Sequence, residues 1–491
     1  MPAERPSIIL TSTFLSEMNQ PHRTTALLCA YTSPRCEVEG LDARKVDIYG
    51  EIERKQPIAV GVSVTTYGEL FRLGQQINSI KKSSPSSIVI VGGRYPTLFE
   101  EQIFKEAPGV DILVKGYAEQ SWYQLSQELG LLEHVEDQRR FGILQERLDG
   151  YPGIVFNKGV PTKDSSFSPR SKLGQVRQPD YGRLEPGVRQ YFEGHEASSL
   201  ADLYHTRTGV DVLSGLGCEH NCAFCVNGAM KVVDGPKELR PPEDVVDEIA
   251  TLVNLAEVPK LPVFLAFPNS FSAPEHLTSI LNLVDQKGLT DSVAISVDST
   301  VKSLYGTVKR NPAILKNLKD RIWRVILGVE SLDPAIQHYI QKTPTPDETA
   351  QVLQDCYEMG IIPVVQILIG LPPESNETLE NSLQQLLSIR DSVPPFAVNV
   401  HRAIPFPGTR YYSDAVQREL IDVENKDLLS DITVGKSIIG TSHLTRDEVT
   451  EWIKRYLHEF YSEDFLARVM QDPRKDLAAE LIRQSNKSKL K

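Results

Sequence analysis

The stretch VDVLSGLGCEHNCAFC, residues 210–225, joins a short apolar strand to three cysteines at positions 218, 222 and 225. Thiolates this close together repel one another unless a metal binds them, and soft metals are the ions they prefer. A structural zinc would need a fourth ligand, for which His220 is the only candidate nearby in the sequence. Three cysteines alone suit a [4Fe-4S] cluster that keeps one iron open. The spacing therefore favours an iron–sulfur site at Cys218, Cys222 and Cys225, with zinc as the alternative.

Strand and helix patterns alternate from residue 209 to residue 412. Candidate strands lie at 210–215, 263–267, 293–297, 324–329, 364–370 and 396–400. Each is a short apolar run, and helical patterns separate them. Six such units predict a full or partial α/β barrel, whose chemistry takes place at the carboxyl ends of its strands. The three cysteines follow the first of these strands.

The first 140 residues show the same alternation on a smaller scale. Strands are expected at 8–10, 46–48, 58–64, 88–91 and 112–114. Continuous Val and Ile runs separated by helices predict a parallel sheet covered on both faces. Small or polar residues follow the strands, and ligands of such sheets bind beyond the carboxyl ends of the strands. The glycines at these positions fit ordinary tight turns equally well.

Two further segments complete the chain. Residues 141–208 are interpreted as a Pro- and Ser-rich linker that wraps a domain surface. Residues 413–491 are predicted to be mostly helical, because Thr445 and Glu448 form a capping box ahead of an apolar stripe. That stripe includes Trp452 and indicates a packing helix rather than a binding site.

The composition limits the partners and the compartment. The chain has 491 residues, with 53 Lys and Arg against 65 Asp and Glu, and its net charge is −12. An acidic protein is poorly suited to bind nucleic acid or an anionic membrane through its overall charge. No apolar run reaches the roughly 18 residues that cross a bilayer, and the first residues lack the pattern of a signal peptide. With only six cysteines, a cytoplasmic, reduced protein is expected.

Four motifs in the 209–412 segment resemble those of radical S-adenosylmethionine (SAM) enzymes. The first is the cysteine motif C-x3-C-x2-C, which has an aromatic residue, Phe224, before its last cysteine. Residues 328–331 (GVES) resemble the fourth-strand motif of that family, and residues 367–372 (ILIGLP) resemble its fifth-strand motif. Residues 405–409 (PFPGT) are similar to the turn that follows the sixth strand in one large branch.

This resemblance implies the chemistry of the barrel. Cys218, Cys222 and Cys225 would hold a [4Fe-4S] cluster whose open iron binds SAM, and an external flavodoxin- or ferredoxin-like protein would donate the electron. Cleavage of SAM would give methionine and a 5′-deoxyadenosyl radical, which must be shielded from water. The residues implied to contact SAM are Phe224, Asn269, Glu330, Ser331, Leu368 and Gly370.

The N-terminal unit narrows the resemblance to one branch. Residues 63–66 (SVTT), 92–97 (GGRYPT) and 116–119 (GYAE) resemble the cobalamin-binding domain of cobalamin-dependent radical SAM enzymes. The chain has no D-x-H-x-x-G motif, which fits the binding mode of this branch and also fits a domain that has lost its corrinoid. The residues implied to contact cobalamin are Thr65, Thr66, Tyr67, Gly92, Gly93, Arg94 and Gly116.

The resemblance also implies the fold and the function. The expected fold is α/β: a doubly wound Rossmann-like cobalamin-binding domain (1–140), the linker (141–208), a partial (β/α)6 radical SAM barrel (209–412) and a helical C-terminal domain (413–491). The expected activity is methylation of an unactivated carbon, or of phosphorus, in a small molecule or natural-product precursor. Oxidative cyclisation or ring rearrangement without net methylation is the alternative, and a non-catalytic cobalamin or iron–sulfur sensor is the third. His401, Arg402 and Glu330 either face the substrate or form structural ion pairs.

Overall fold

A computed structural model of the chain describes residues 5–12, 19–64, 69–157, 166–195, 200, 203, 208–422, 425, 439–472 and 474. The chain forms two compact units. One contains residues 1–191, and the other begins at Phe192. Among the described residues, no helix has the length and hydropathy needed to span a membrane.

The first unit is a seven-stranded sheet with helices between its strands. The strands are β1 (Ser7–Ser12), β2 (Glu37–Leu41), β3 (Ala59–Ser63), β4 (Ile88–Gly92), β5 (Ile112–Val114), β6 (Ile154–Phe156) and β7 (Leu184–Glu185). The helices are α1 (Arg23–Tyr31), α2 (Ile48–Lys55), α3 (Leu70–Ser83), α4 (Arg94–Leu98), α5 (Glu100–Glu106), α6 (Glu119–Gly130) and α7 (Asp137–Leu148). The strand order is β6-β5-β4-β3-β1-β2-β7. The order reverses between β1 and β3, and doubly wound sheets bind ligands at such a switch point.

Two sequence-based expectations for this unit are wrong. The strand predicted at 46–48 does not form, because α2 begins at Ile48 and the Asp47 side chain caps that helix by accepting a hydrogen bond from the Gly50 N–H. The described part of the predicted linker, 141–208, instead contributes two strands to the sheet, since β6 pairs with β5 and β7 pairs with β2. Their apolar runs extend both edges of the sheet, which places the boundary of the unit at Tyr191.

The second unit is built around six parallel strands in the order β15-β14-β13-β12-β11-β8. Its strands are β8 (Val210–Leu213), β9 (Gly215–Leu216), β10 (Glu238–Leu239), β11 (Leu261–Ala266), β12 (Val293–Thr300), β13 (Arg324–Glu330), β14 (Ile362–Ile369) and β15 (Ala397–Arg402). Its helices are α8 (Val226–Asp234), α9 (Pro242–Ala256), α10 (Pro274–Gln286), α11 (Val301–Arg310), α12 (Ile314–Leu318), α13 (Pro334–Ile340), α14 (Pro346–Glu358), α15 (Asn376–Ser392), α16 (Arg410–Gln417), α17 (Arg446–Phe460) and α18 (Glu463–Val469). Within the described ranges, β8 and β15 are unpaired edges, so the barrel is partial, as predicted.

Side chains along the barrel strands alternate between two environments. Val212 and Val297 belong to the fully buried set on the helix-covered side. Asp211, Asp298 and Gln366 belong to the opposite set, which faces the inside of the barrel and keeps some exposure. The alternation follows from the two-residue period of a strand. The inside of the barrel is therefore open and partly polar.

The C-terminal helices pack against the barrel. The predicted capping box at the start of α17 is confirmed, because Thr445 and Glu448 bond to each other's backbone N–H groups. Trp452 is buried on the same helix, as a packing residue should be. Just after α17, the Tyr461 hydroxyl donates to the Val398 carbonyl oxygen of β15 at 2.7 Å and accepts from the Val398 N–H at 2.8 Å.

Candidate active site

The three cysteines of the motif lie in the loop between β9 and α8. All three side chains are half-buried, and none forms a disulfide. The loop is anchored at Ala223, whose N–H donates to the Ile340 carbonyl of α13 and whose carbonyl accepts from the Tyr411 N–H of α16. Two separate helices therefore hold the cysteine loop at the open end of the barrel.

The donor set of the loop, three thiols, suits a [4Fe-4S] cluster that keeps one iron open. A structural zinc would need a fourth ligand, for which His220 is the candidate in the loop. The His220 ring contacts Asn269 instead, with 3.3 Å between Nε2 and Nδ2. Burial raises the pKa of the Cys222 thiol to about 11, so metal binding must displace its proton.

A buried ion pair lies beside the cysteine loop. Lys342 Nζ is 2.8 Å from Glu330 Oε1. Burial alone would lower the pKa of the Lys342 ammonium, but the charges of Glu330, Cys222 and Cys225 raise it. Lys342 was not identified from the sequence, because 12 residues separate it from Glu330 and no local pattern marks the pair. It places a fixed positive charge next to the thiols.

The backbone around Glu330 departs from regular strand geometry next to the ion pair. Glu330 has a φ of +68°, which is unusual for a residue with a side chain, and the β13–β14 register shifts between Gly328 and Glu330. A Cβ on Gly328 would collide with Lys342 Nζ and lie 2.5 Å from Glu330 Oε1. A side chain at position 328 would therefore force the charged ends of the pair to shift. Strained backbone of this kind persists where the surrounding structure holds it, often at functional sites.

The residues implied to contact SAM are placed in different surroundings. Phe224 is half-buried in the cysteine loop. Asn269 is buried after β11, and its Nδ2 donates to Ser303 Oγ at 2.8 Å. The Ser331 hydroxyl accepts from the Asp333 N–H and lies 3.5 Å from Ser382 Oγ of α15, so it faces a helix rather than the inside of the barrel.

The turn after β14 is held by a buried glutamate. Leu368 keeps some exposure on the inner side of the strand. Glu374 Oε2 accepts hydrogen bonds from the Gly370 N–H at 2.6 Å and the Leu371 N–H at 2.9 Å. The Gly370 carbonyl accepts from the Tyr411 hydroxyl at 2.8 Å. Glu374 and Tyr411 thus fix the motif that is implied to border the adenine.

Glu374→Gln is expected to flatten the pH dependence of stability. Burial raises the pKa of Glu374 from an ordinary 4.5 to about 8, so the folded protein keeps a proton that the unfolded chain has lost. Wild-type stability should therefore fall as the pH rises from about 4.5 to about 8, by about 4 kcal/mol from this group. Urea unfolding at pH 5 and pH 8 measures the difference. The exposed Glu377→Gln should behave like wild type, and an equally steep fall in Glu374→Gln would contradict the assignment.

The inner side of β14 and β15 is a polar wall. His401 Nε2 lies 2.6 Å from Gln366 Oε1 on the neighbouring strand. Asn399 shares this side, and its buried Oδ1 has no hydrogen-bond partner among the described residues. On β12, burial raises the pKa of Asp298 to about 7, despite the nearby Arg324. Arg402 belongs elsewhere, since its guanidinium donates to Thr450 Oγ1 of α17.

The first unit gathers some of the residues implied to contact cobalamin at the carboxyl edge of its sheet. Gly92 ends β4, and Gly93 has a φ of +118°, where a Cβ would collide with the Val64 carbonyl oxygen. Thr97 Oγ1 donates to the Gly93 carbonyl at 2.7 Å and accepts from the Gly116 N–H at 2.9 Å. Arg94 is exposed at the start of α4. Thr65, Thr66 and Tyr67 lie outside the described residues.

Two protein-family models match the chain. The radical SAM superfamily model matches residues 212–386, and the B12 binding domain model matches residues 21–125. The chain is a radical SAM enzyme with a B12-binding domain. This identification confirms the predicted order of the two domains and removes the non-catalytic sensor from consideration. The cofactors of this radical SAM enzyme are a [4Fe-4S] cluster, SAM and cobalamin.

Curated relatives of this radical SAM enzyme are distant in sequence. An uncharacterized methyltransferase of Pyrococcus horikoshii is 21% identical over 435 residues, which cover 86% of this chain and 83% of the relative. The anaerobic magnesium-protoporphyrin IX monomethyl ester cyclase of Cereibacter sphaeroides is 22% identical over 384 residues, or 78% of this chain and 56% of the cyclase. The cyclase of Rubrivivax gelatinosus is 23% identical, and 64% of it is covered, so the chain spans less than two thirds of both cyclases.

Solved structures share the fold of this radical SAM enzyme. The radical SAM methyltransferase TsrM from Kitasatospora setae, with cobalamin and a [4Fe-4S] cluster bound, has a TM-score of 0.60 at 16% identity, covering 85% of this chain and 76% of TsrM. The cobalamin-dependent radical SAM enzyme OxsB, with aqua-cobalamin and SAM bound, has a TM-score of 0.66 at 14% identity, covering 92% and 66%. At these identities the likeness confirms the predicted α/β fold.

Proposed function

We propose that this radical SAM enzyme is a cobalamin-dependent methyltransferase that acts on an unactivated carbon, or on phosphorus, of a small molecule. The observation that best supports this proposal is the combination of two parts in one chain. One is a sheet that matches the B12-binding domain, and the other is a barrel with a cysteine loop and a buried ion pair. When bound, the cluster and SAM supply a radical that removes a hydrogen atom from the substrate, and cobalamin supplies the methyl group. The similarity to an uncharacterized methyltransferase, 83% of whose length is covered, supports this proposal.

Different residues of the barrel would bind the cluster and different parts of SAM. Cys218, Cys222 and Cys225 would hold the cluster, because all three are free, half-buried thiols of one loop. SAM ends in an ammonium and a carboxylate, and the buried Glu330–Lys342 pair offers one opposite charge to each. Leu368 and Gly370 border the adenine, and the buried Asn269 supports the loop through His220. Phe224 shields the cluster from water.

The polar wall of the barrel favours a polar substrate over a lipid chain. The orphaned Asn399 Oδ1 requires an N–H or O–H donor, and an apolar chain offers none. The His401–Gln366 hydrogen bond adds a second polar group on the same side. Asp298, with a pKa of about 7, is able to hold or release a proton at neutral pH.

The first step of the test is to measure the iron, sulfide and cobalt content per chain. The protein is purified without oxygen from cells that were supplied with cobalamin. About four irons and one cobalt are expected. The reduced protein is then incubated with SAM carrying a deuterated methyl group and with a polar extract of cells. A product that gains the labelled methyl supports methylation. Four irons without cobalt, or a cobalt-containing protein that labels nothing, would contradict the proposal.

Oxidative cyclisation without net methylation is the second candidate. Two cyclase relatives favour it, although the chain spans less than two thirds of each. Product mass separates the candidates, because methylation adds one CH2 unit whereas oxidative cyclisation removes hydrogen atoms. For either reaction we propose a cytoplasmic setting and a flavodoxin- or ferredoxin-like electron donor, and the six free cysteines suit a reducing compartment.

A further inference from the structure

Two buried oxygen atoms at the switch point of the first sheet are without hydrogen bonds. They are Ser12 Oγ, at the end of β1, and Glu119 Oε2, at the start of α6. Ser12 is 1% exposed and Glu119 is 5% exposed. Buried polar atoms are almost always paired, and an exception in a native protein indicates a missing partner. Throughout the described part of the first unit, no side chain or backbone group supplies that partner.

The packing of α6 places these two residues on the same side of the sheet. Leu10 of β1 is the register partner of Gly61 of β3, and a Cβ on Gly61 would lie 3.6 Å from the Trp122 ring of α6. Ser12 is two residues beyond Leu10, so its side chain points to the same face of the sheet as Leu10. Glu119 is three residues before Trp122, so the two share one side of the helix.

The direction of α6 brings Glu119 to the level of Ser12. The helix follows β5 and runs back along the sheet, so its N-terminus lies at the carboxyl edge of the strands. One helical turn from Trp122 to Glu119 rises about 5 Å, and two strand residues from Leu10 to Ser12 rise about 7 Å in the same direction. These offsets place Ser12 and Glu119 at a similar level on one face of the sheet, near the carboxyl ends of β1 and β3, where the strand order reverses.

The two unpaired oxygens require a hydrogen-bond donor, because a carboxylate accepts only and a serine hydroxyl accepts as well as donates. Burial raises the pKa of the Glu119 carboxyl group, although a hydrogen bond from its own backbone N–H and the charges of Arg23 and Arg170 act in the opposite direction. The B12-binding match covers residues 21–125 and therefore includes Glu119. Cobalamin has donors of two kinds, the amide N–H groups around the corrin ring and the ribose O–H of its nucleotide tail.

We propose that Glu119 and Ser12 are cobalamin-binding residues, which accept hydrogen bonds from N–H or O–H donors of the cofactor. The inference rests on the B12-binding domain and deepens the proposed function by assigning two contacts in it. Ser12 Oγ and Glu119 Oε2 are buried without a hydrogen bond, and a donor on the ligand would remove the free-energy cost of leaving them unpaired.

The decisive experiment compares ligand affinity with the stability of the cofactor-free protein. Glu119→Met removes the unpaired carboxyl and keeps a side chain of similar length. It should raise the melting temperature of the full cofactor-free chain, and it should weaken hydroxocobalamin binding about tenfold or more in equilibrium dialysis. Ser12→Ala should weaken binding by a smaller factor. Glu101→Met, at an exposed glutamate of α5, is the control and should change neither quantity.

Cobinamide, which lacks the nucleotide tail, identifies the donor. If Glu119→Met weakens both ligands equally, the donors are corrin amides; if it weakens only hydroxocobalamin, the donor is the ribose hydroxyl. Hydroxocobalamin affinity within twofold of wild type would overturn the inference. If Glu119→Met does not fold, Ser12→Ala decides in the same way. Wild-type protein that binds no cobalamin would refute the proposed function as a whole, which is a separate result.

Discussion

Cys222→Ala is expected to abolish the iron–sulfur site and with it the cleavage of SAM. Cys222 is the middle thiol of the loop, and a [4Fe-4S] cluster with two protein thiolates instead of three is not retained. Iron should fall from about four atoms per chain to nearly none, and 5′-deoxyadenosine should become undetectable under reducing conditions. Iron and sulfide assays on anaerobically purified protein, followed by chromatography of the SAM products, measure both effects.

Cys356→Ala is the matched control for this experiment. Cys356 is fully buried in α14, and burial raises its pKa well above the ordinary range of a thiol. It lies outside the cysteine loop, so its replacement should leave the iron content at the wild-type level. Full iron content and intact SAM cleavage in Cys222→Ala would overturn the assignment of the cluster. One zinc per chain instead of iron would do so as well.

Replacing one or both charges of the buried ion pair by neutral groups is expected to affect the folding free energy and the affinity for SAM differently. Lys342→Met leaves the Glu330 carboxylate buried without a counter-charge, which should cost about 3–5 kcal/mol of folding free energy. The double variant Glu330→Gln/Lys342→Met removes both charges and should recover most of that loss. Lys342→Met offers no charge to the carboxylate of SAM, and the double variant offers none to either the carboxylate or the ammonium. Both should therefore bind SAM about 100-fold more weakly than wild type, a loss of about 2.7 kcal/mol.

An exposed ion pair of the same barrel provides the comparison. Lys302 of α11 and Glu348 of α14 are 2.7 Å apart, and the lysine is about half exposed. Lys302→Met should change the free energy of unfolding by less than about 1 kcal/mol and should leave SAM binding unchanged. Urea unfolding and equilibrium dialysis with labelled SAM give the two readouts. A double variant that binds SAM as tightly as wild type would show that the pair is purely structural.

The parts of the fold that were predictable are those determined by neighbours in sequence. The six parallel barrel strands, β8 and β11 to β15, begin within a few residues of their expected positions, since short Val and Ile runs between helices have few other solutions. The cysteine loop was recognisable because its three thiols lie within eight residues. The capping box at Thr445 is equally local.

The missed features depend on partners that are distant in sequence or on competing local interactions. The strand expected at 46–48 does not form, because Asp47 caps α2, which begins at the next residue. Lys342 acquires its role only through the bulge that turns Glu330 towards it. Ser331 was grouped with Glu330 because it is adjacent, yet the bulge directs its hydroxyl to α15.

Tyr461 has a consequence for how the protein behaves at high concentration. A partial barrel ends in edge strands. The unpaired N–H and C=O groups of an edge strand are able to pair with a strand of another molecule, which is the first step towards fibres. At Val398, the second residue of edge strand β15, one phenol oxygen engages both the N–H and the carbonyl that such a strand would use. The barrel thus remains open along its side, and the Tyr461 hydroxyl occupies the place where a second copy would attach.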